Sequence, residues 1–186
     1  MRLAEKLLHF KRDSKGGTIV EFTLCLPLLI LVCLGIYETT NYILLSQKLN
    51  EIASGVANWV SAKTTGAVVS DCLIGANLVG KDYNFSSLGT VVVTGIQTSG
   101  SPPAQAVVWR IASPGGITNI TTNSGGIVTS SPFPISLPPN LIVVEVSYSY
   151  TPIFSYFLSI FPPIKLLKVS QMVPRSGLTF NPLPAS

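Results

Sequence analysis

The sequence predicts an α+β protein: a long N-terminal transmembrane helix that extends into a small antiparallel β-sheet head domain. Three observations carry this. Residues 18–37 form an apolar run whose one charge is Glu21. Residues 38–62 keep apolar side chains at spacings of three and four, the helical period. From residue 90 onward, β-branched and aromatic runs alternate with connections rich in Gly, Ser and Pro. The chain of 186 residues is only 11% charged, with a mean hydropathy of +0.49, and much of that excess sits in the first apolar run. The predicted organisation is a cytoplasmic leader at 1–16, a membrane helix at 17–37, a helical extension at 38–65 and an exported β-rich head at 66–186.

About 20 residues at ~1.5 Å rise cross the ~30 Å hydrocarbon core of a bilayer, so residues 18–37 are long enough for one span. No later run competes in length. The leader "MRLAEKLLHFKRDSKG" holds Arg2, Lys6, Lys11, Arg12 and Lys15 against Glu5 and Asp13, whereas "YETTNYILLSQKLNE" after the span has Lys48 as its only basic residue. The positive-inside rule keeps such a leader cytoplasmic and exports the remainder. The net charge of +4 is therefore mostly a topology signal. The exported part shows no basic run interleaved with aromatics, which argues against a nucleic-acid partner.

In the extension, Leu45, Leu49, Ile52, Val56 and either Trp59 or Val60 fall on one face. Such a stripe needs a surface to cover. The sheet of the same chain is the nearest one, and neighbouring copies could share it. Residues 66–89 are weakly patterned and read as loop with at most one short helix or strand.

Four strands follow: "TVVVTGIQT" at 90–98, "QAVVWRIA" at 105–112, "NLIVVEVSYSY" at 140–150 and "IKLLKVSQMV" at 164–173. The connection "SGSPPA" suits a hairpin between the first two, because Gly and Pro supply turn geometry that other residues resist. Residues 113–140, dominated by Gly, Ser, Thr, Asn and Pro, read as a long excursion off the sheet. The triplet Asn119–Ile120–Thr121 has the form of a glycosylation acceptor, a pattern too short to carry weight. Glu145 lies inside a strand among apolar neighbours and reads as an outward-facing residue on a half-exposed strand.

The chemistry available is narrow. The only histidine, His9, lies in the leader, so no exported site has an imidazole to act as base or ligand. Past the span the acids Glu38, Glu51, Asp71, Asp82 and Glu145 form no tight sequence cluster. Cys25 and Cys33 fall within the span, and Cys72 stands alone in the exported part, with no zinc spacing and no intrachain bridge to make there. The expectation is a protein that is not an enzyme and has no catalytic residues, metal or cofactor.

Glu21 is the residue this pattern leaves to explain. A carboxylate facing lipid costs several kcal/mol, so it must snorkel to water, take up a proton or meet a cation. Lys15 is near enough in sequence for the first of these.

The residues around it resemble a known motif. "GGTIVEF" is similar to the prepilin peptidase site of Tad (Flp, type IVb) pilins, in which a basic leader ends in Gly, cleavage follows, and Glu then an aromatic stand at the fifth and sixth mature positions. The longer "RDSKGGTIVEFTLCLPLLILVCLGIYE" resembles TadE-like pseudopilins, and "VSYSYTPIF" is similar to a late strand of many members. The resemblance implies cleavage between Gly16 and Gly17, with Glu21 and Phe22 as the assembly and processing motif. A cut after Gly17 would place Glu21 one position early. It further implies a minor pilin or pseudopilin inserted in the inner membrane, matured by a prepilin peptidase, and handed by an assembly platform into a pilus with other pilins and pseudopilins. The new α-ammonium at Gly17 would then meet the Glu21 carboxylate of an adjacent copy. Two other readings of the sequence are a type II secretion pseudopilin, which usually begins with Phe after the cut, and a signal-anchored or secreted binding module.

Overall fold

The computed structural model describes residues 14–62, 67–100, 103–136, 138–153, 155 and 162–175. Most of the predicted leader, His9 included, lies outside them. By internal contacts the chain divides into two units, Met1–Ile43 and Leu44–Ser186.

Helix α1 runs from Ser14 to Ser61. In its first part nearly every side chain is exposed, including Ile19, Phe22, Leu24, Leu28 and Leu31. The polar groups there turn inward on the helix itself: Thr23, Thr39 and Thr40 each donate a hydroxyl to the carbonyl four residues back, at 2.8 Å. Such bonds satisfy hydroxyls where no water is present. Pro27 stands inside the helix and has no N–H to give to the Thr23 carbonyl.

In the second unit the predicted stripe is buried: Leu45, Leu49, Ile52, Val56 and Val60 are each at most 3% exposed. The choice between Trp59 and Val60 falls to Val60, since Trp59 remains 40% exposed. The stripe forms one core with one face of a four-stranded antiparallel sheet. The strands are β1 (Gly89–Ser99), β2 (Ala104–Ala112), β5 (Asn140–Tyr150) and β6 (Ile164–Met172), in the order β2-β1-β5-β6. All four were legible as strands in the sequence, and β1 and β2 pair as the expected hairpin. Val91, Val93, Ile142, Val144, Val146 and Tyr148 face the helix. Each such aliphatic side chain removed from water contributes roughly 1.5–3 kcal/mol. Past the sheet, the Arg175 backbone N–H donates to the Ser61 carbonyl at 3.0 Å and so satisfies one open acceptor at the end of α1.

Three expectations are corrected. Residues 66–89 are more helical than loop: α2 covers Ala67–Val79, a 3-10 turn covers Lys81–Tyr83 and α3 covers Phe85–Leu88. The sequence of α2 is apolar on more than one face and contains Gly75, so it shows no clean stripe. Its helix is fixed by α1, because Cys72 and Ala76 join the core and a Cβ at Gly75 would lie 2.8 Å from the Trp59 ring.

The second correction concerns residues 113–140. Rather than leaving the sheet, this segment crosses its other face. Ile120 is 2% exposed and forms a second apolar cluster with Ile96, Leu141 and Val143, against which Val128, Phe133 and Ile135 pack. Within it, β3 (Thr121–Thr122) and β4 (Val128–Ser130) make a two-stranded ribbon. Val107 donates its backbone N–H to the Gly126 carbonyl at 2.9 Å, which places the ribbon's turn on the outer edge of β2.

The third follows from the second. Glu145 is not outward-facing but 2% exposed, because the crossing segment covers it.

Candidate functional site

The sequence-predicted site begins where α1 begins. Gly16 and Gly17 both fall within its first turn. Backbone N–H groups in a helix's first turn have no acceptor within the helix, and each glycine costs roughly 1 kcal/mol relative to alanine in helical geometry. The Gly16–Gly17 peptide is therefore among the most easily unwound bonds of α1. It is also unobstructed on its C-terminal side: a Cβ built at Gly17 would meet nothing within 4 Å.

Glu21 follows Gly17 by four residues, which puts both on one face of the helix. Its carboxylate is exposed, and so are its neighbours Ile19, Val20, Phe22 and Leu24, from 59% to 73%. The acid is thus set into an outward apolar surface. Among the described residues the one ion pair joins Lys48 to Glu51 at 3.0 Å, and Glu21 has no share in it. Phe22 lies next to Glu21 on the adjoining face and is 62% exposed. Gly17, the acid and the aromatic form one outward patch within a turn and a half of helix. The helix from Ile19 onward, which holds the acid and the aromatic, is long and apolar enough to cross a membrane, with a mean hydropathy of 2.6 over its most apolar part and none of that part buried within the chain.

A second polar centre lies in the head, and the sequence did not reveal it. Glu145 of β5 sits between Val92 of β1 and Val169 of β6. Its Oε1 accepts from the Asn119 backbone N–H at 2.8 Å and from Asn119 Nδ2 at 3.1 Å, and its Oε2 accepts from the Thr118 hydroxyl. Thr118 Oγ1 in turn accepts from the Ile120 N–H at 3.0 Å. Arg110 lies close enough for Glu145 to favour its charged form, although burial is the larger influence and lowers its pKa from the ordinary value. A signal was present in "NLIVVEV": the run is continuously apolar rather than alternating, which marks a strand covered on both faces. Among the described residues no three His, Cys, Asp or Glu side chains come together as a metal site.

A helix long and apolar enough to cross a membrane, with Gly-Gly in its first turn and one acid in its apolar run, followed by an antiparallel sheet, defines the chain as an α+β protein with a candidate membrane helix near its N-terminus. Residues 16–58 match the family model described as TadE-like protein, which bears out the resemblance read from "RDSKGGTIVEFTLCLPLLILVCLGIYE". The match begins at Gly16 and ends inside α1, at the head of the buried stripe's last turn. No curated protein and no solved structure matches the chain.

Proposed function

We propose that this protein is a minor pilin or pseudopilin subunit of a Tad-type pilus, with no enzymatic activity of its own. The match of residues 16–58 to the TadE-like family carries this reading, since it takes in both glycines, Glu21, Phe22 and the apolar helix. In this reading the chain is held in the inner membrane with its N-terminus cytoplasmic and its sheet domain periplasmic. A prepilin peptidase cuts between Gly16 and Gly17, and an assembly platform then moves the mature chain into a pilus beside other pilins and pseudopilins.

The physical role of Glu21 follows from the cut. Cleavage turns the Gly17 amide nitrogen into an ammonium, and Glu21 lies one helical turn away on the same face. Copies packed side by side with an axial offset present the ammonium of one to the carboxylate of the next. Each charge alone would be penalised in an apolar bundle, so pairing selects the offset at which both are satisfied.

Co-expression with a cognate prepilin peptidase, followed by N-terminal sequencing, tests the processing step. The expected product begins at Gly17. A chain that keeps Met1 under those conditions, while a known pilin in the same cells is processed, overturns the reading.

A further inference from the structure

We propose that residues 113–136 form a strap that opens and closes over the second face of the sheet as a unit, with Glu145 as its latch. This does not rest on the pilus reading.

The strap hinges at Ser113, whose N–H donates to the Val91 carbonyl at 2.8 Å and whose hydroxyl accepts from the Val91 N–H at 2.9 Å, and beyond that hinge it is attached at a few points of distinct kinds. At one end, Thr118 and Asn119 supply all the hydrogen bonds described at the Glu145 carboxylate, and none comes from the sheet. At the other, Gln105 donates to the Ser136 carbonyl at 2.7 Å, and Gln171 both accepts from the Ser136 N–H at 3.0 Å and donates to the Pro134 carbonyl. Between them, Ile120 is the strap's one fully buried apolar side chain among the described residues. The sheet, by contrast, is tied by continuous ladders through β1 and β5 and by the core under α1. Elements with little buried apolar packing open at lower free energy than the structure that carries them.

The placement of a carboxylate at this point favours two states over one. Closed, Glu145 gives up water and receives three donors from the strap. Open, it is rehydrated, so the cost of burying the charge is recovered and compensates in part for the hydrogen bonds and apolar packing that opening breaks. A leucine in its place would make closure at this point purely apolar and would leave the open sheet with an unbroken sticky face; an inward-pointing charge guards such a face against pairing with other chains. Opening also withdraws Gly126 from the Val107 N–H and so exposes the outer edge of β2 together with Ile96, Leu141 and Val143.

Hydrogen exchange of the full-length chain in detergent tests the proposal. The amides of Asn119, Ile120 and Val107, whose acceptors lie across the strap–sheet junction or within the latch, report on opening; those of Val93 and Val144 report on the sheet. Amides of the first group are expected to exchange at least about tenfold faster than the second. Glu145→Leu should speed the first group by a further tenfold or so, the loss expected for charge-assisted bonds, and leave Val93 and Val144 unchanged. The strap-side double variant Thr118→Val/Asn119→Ala removes the two side-chain bonds to Glu145 and keeps the Asn119 backbone N–H, without touching the sheet; it should speed exchange at Val107, whose acceptor it leaves in place, and it decides the matter if the Leu variant fails to fold. Exchange of both groups in step, or a wild-type rate at Val107 in the double variant, overturns the proposal.

Discussion

Asn119 binds Glu145 twice, through its backbone N–H at 2.8 Å and its side-chain amide at 3.1 Å. One strand residue thereby fixes both the position and the side-chain orientation of a residue on the crossing segment. Asn119→Asp replaces a donor with a second carboxylate facing the first. At neutral pH the variant is expected to lose about 2–3 kcal/mol, the scale of a charge-assisted bond lost with its partner left buried. Like charges at one site favour protonation of one of them, so the deficit relative to wild type should shrink as the pH falls through the carboxylate range. Urea unfolding of both proteins at neutral and acid pH measures it. The same contact engages the nitrogen a glycan would use in the Asn119–Ile120–Thr121 triplet.

Tyr148 donates its hydroxyl to the Tyr83 carbonyl at 2.8 Å and stacks on Phe85. Burial, and then the charge of Tyr83, raise its pKa above the ordinary 10.0. The unfolded chain therefore loses this proton at lower pH than the folded one. The resulting stability is complete below about pH 10 and is lost as the pH rises through the higher folded value. Tyr148→Phe should cost about 1 kcal/mol at neutral pH and flatten the alkaline decline. Denaturation midpoints at neutral and alkaline pH check both parts.

Leu49 is fully buried where α1 meets the sheet. Leu49→Ala is expected to destabilise the head by about 2–5 kcal/mol while leaving membrane insertion intact, because the apolar run at 18–37 is untouched. Thermal unfolding in detergent together with membrane fractionation separates the two effects.

Gly95 of β1 pairs with Trp109 of β2, and a Cβ there would lie 2.4 Å from the indole ring. Gly95→Ala should cost about 1–3 kcal/mol by displacing the ring and shift its fluorescence to the red. In the double variant Gly95→Ala/Trp109→Leu the two losses should fall short of additive, since the clash is gone. Additive losses would show that the ring and the glycine are uncoupled.

Glu21→Gln tests the role proposed for the acid. If Glu21 pairs with a neighbour's Gly17 ammonium, the variant should insert normally yet enter the pilus poorly, as breaking a buried pair costs about 3–5 kcal/mol. Co-purification of processed chain with pilus components reads this out, with processing scored separately. Normal incorporation of processed variant would assign Glu21 to snorkelling instead.

The motif at Gly16, Gly17, Glu21 and Phe22 was read from a family resemblance, while local pattern alone determined the long helix, its apolar stripe and the four strands. Each is written in a period or spacing that needs no distant partner: twenty apolar residues for a span, spacings of three and four for a stripe, β-branched runs for strands. The extent of α2, the course of residues 113–136 and the burial of Glu145 were decided by tertiary structure. α2 has no stripe of its own and is helical because α1 offers it a face at Trp59. The crossing segment spaces the residues that join the cluster irregularly, at Ile120, Val128, Phe133 and Ile135, so nothing periodic announces that they pack together. Glu145 looks like a solvent-facing acid until Thr118 and Asn119, 27 and 26 residues away in the chain, are brought onto its carboxylate. A donor at that separation leaves no trace in local sequence, and only the folded sheet puts it within hydrogen-bond reach.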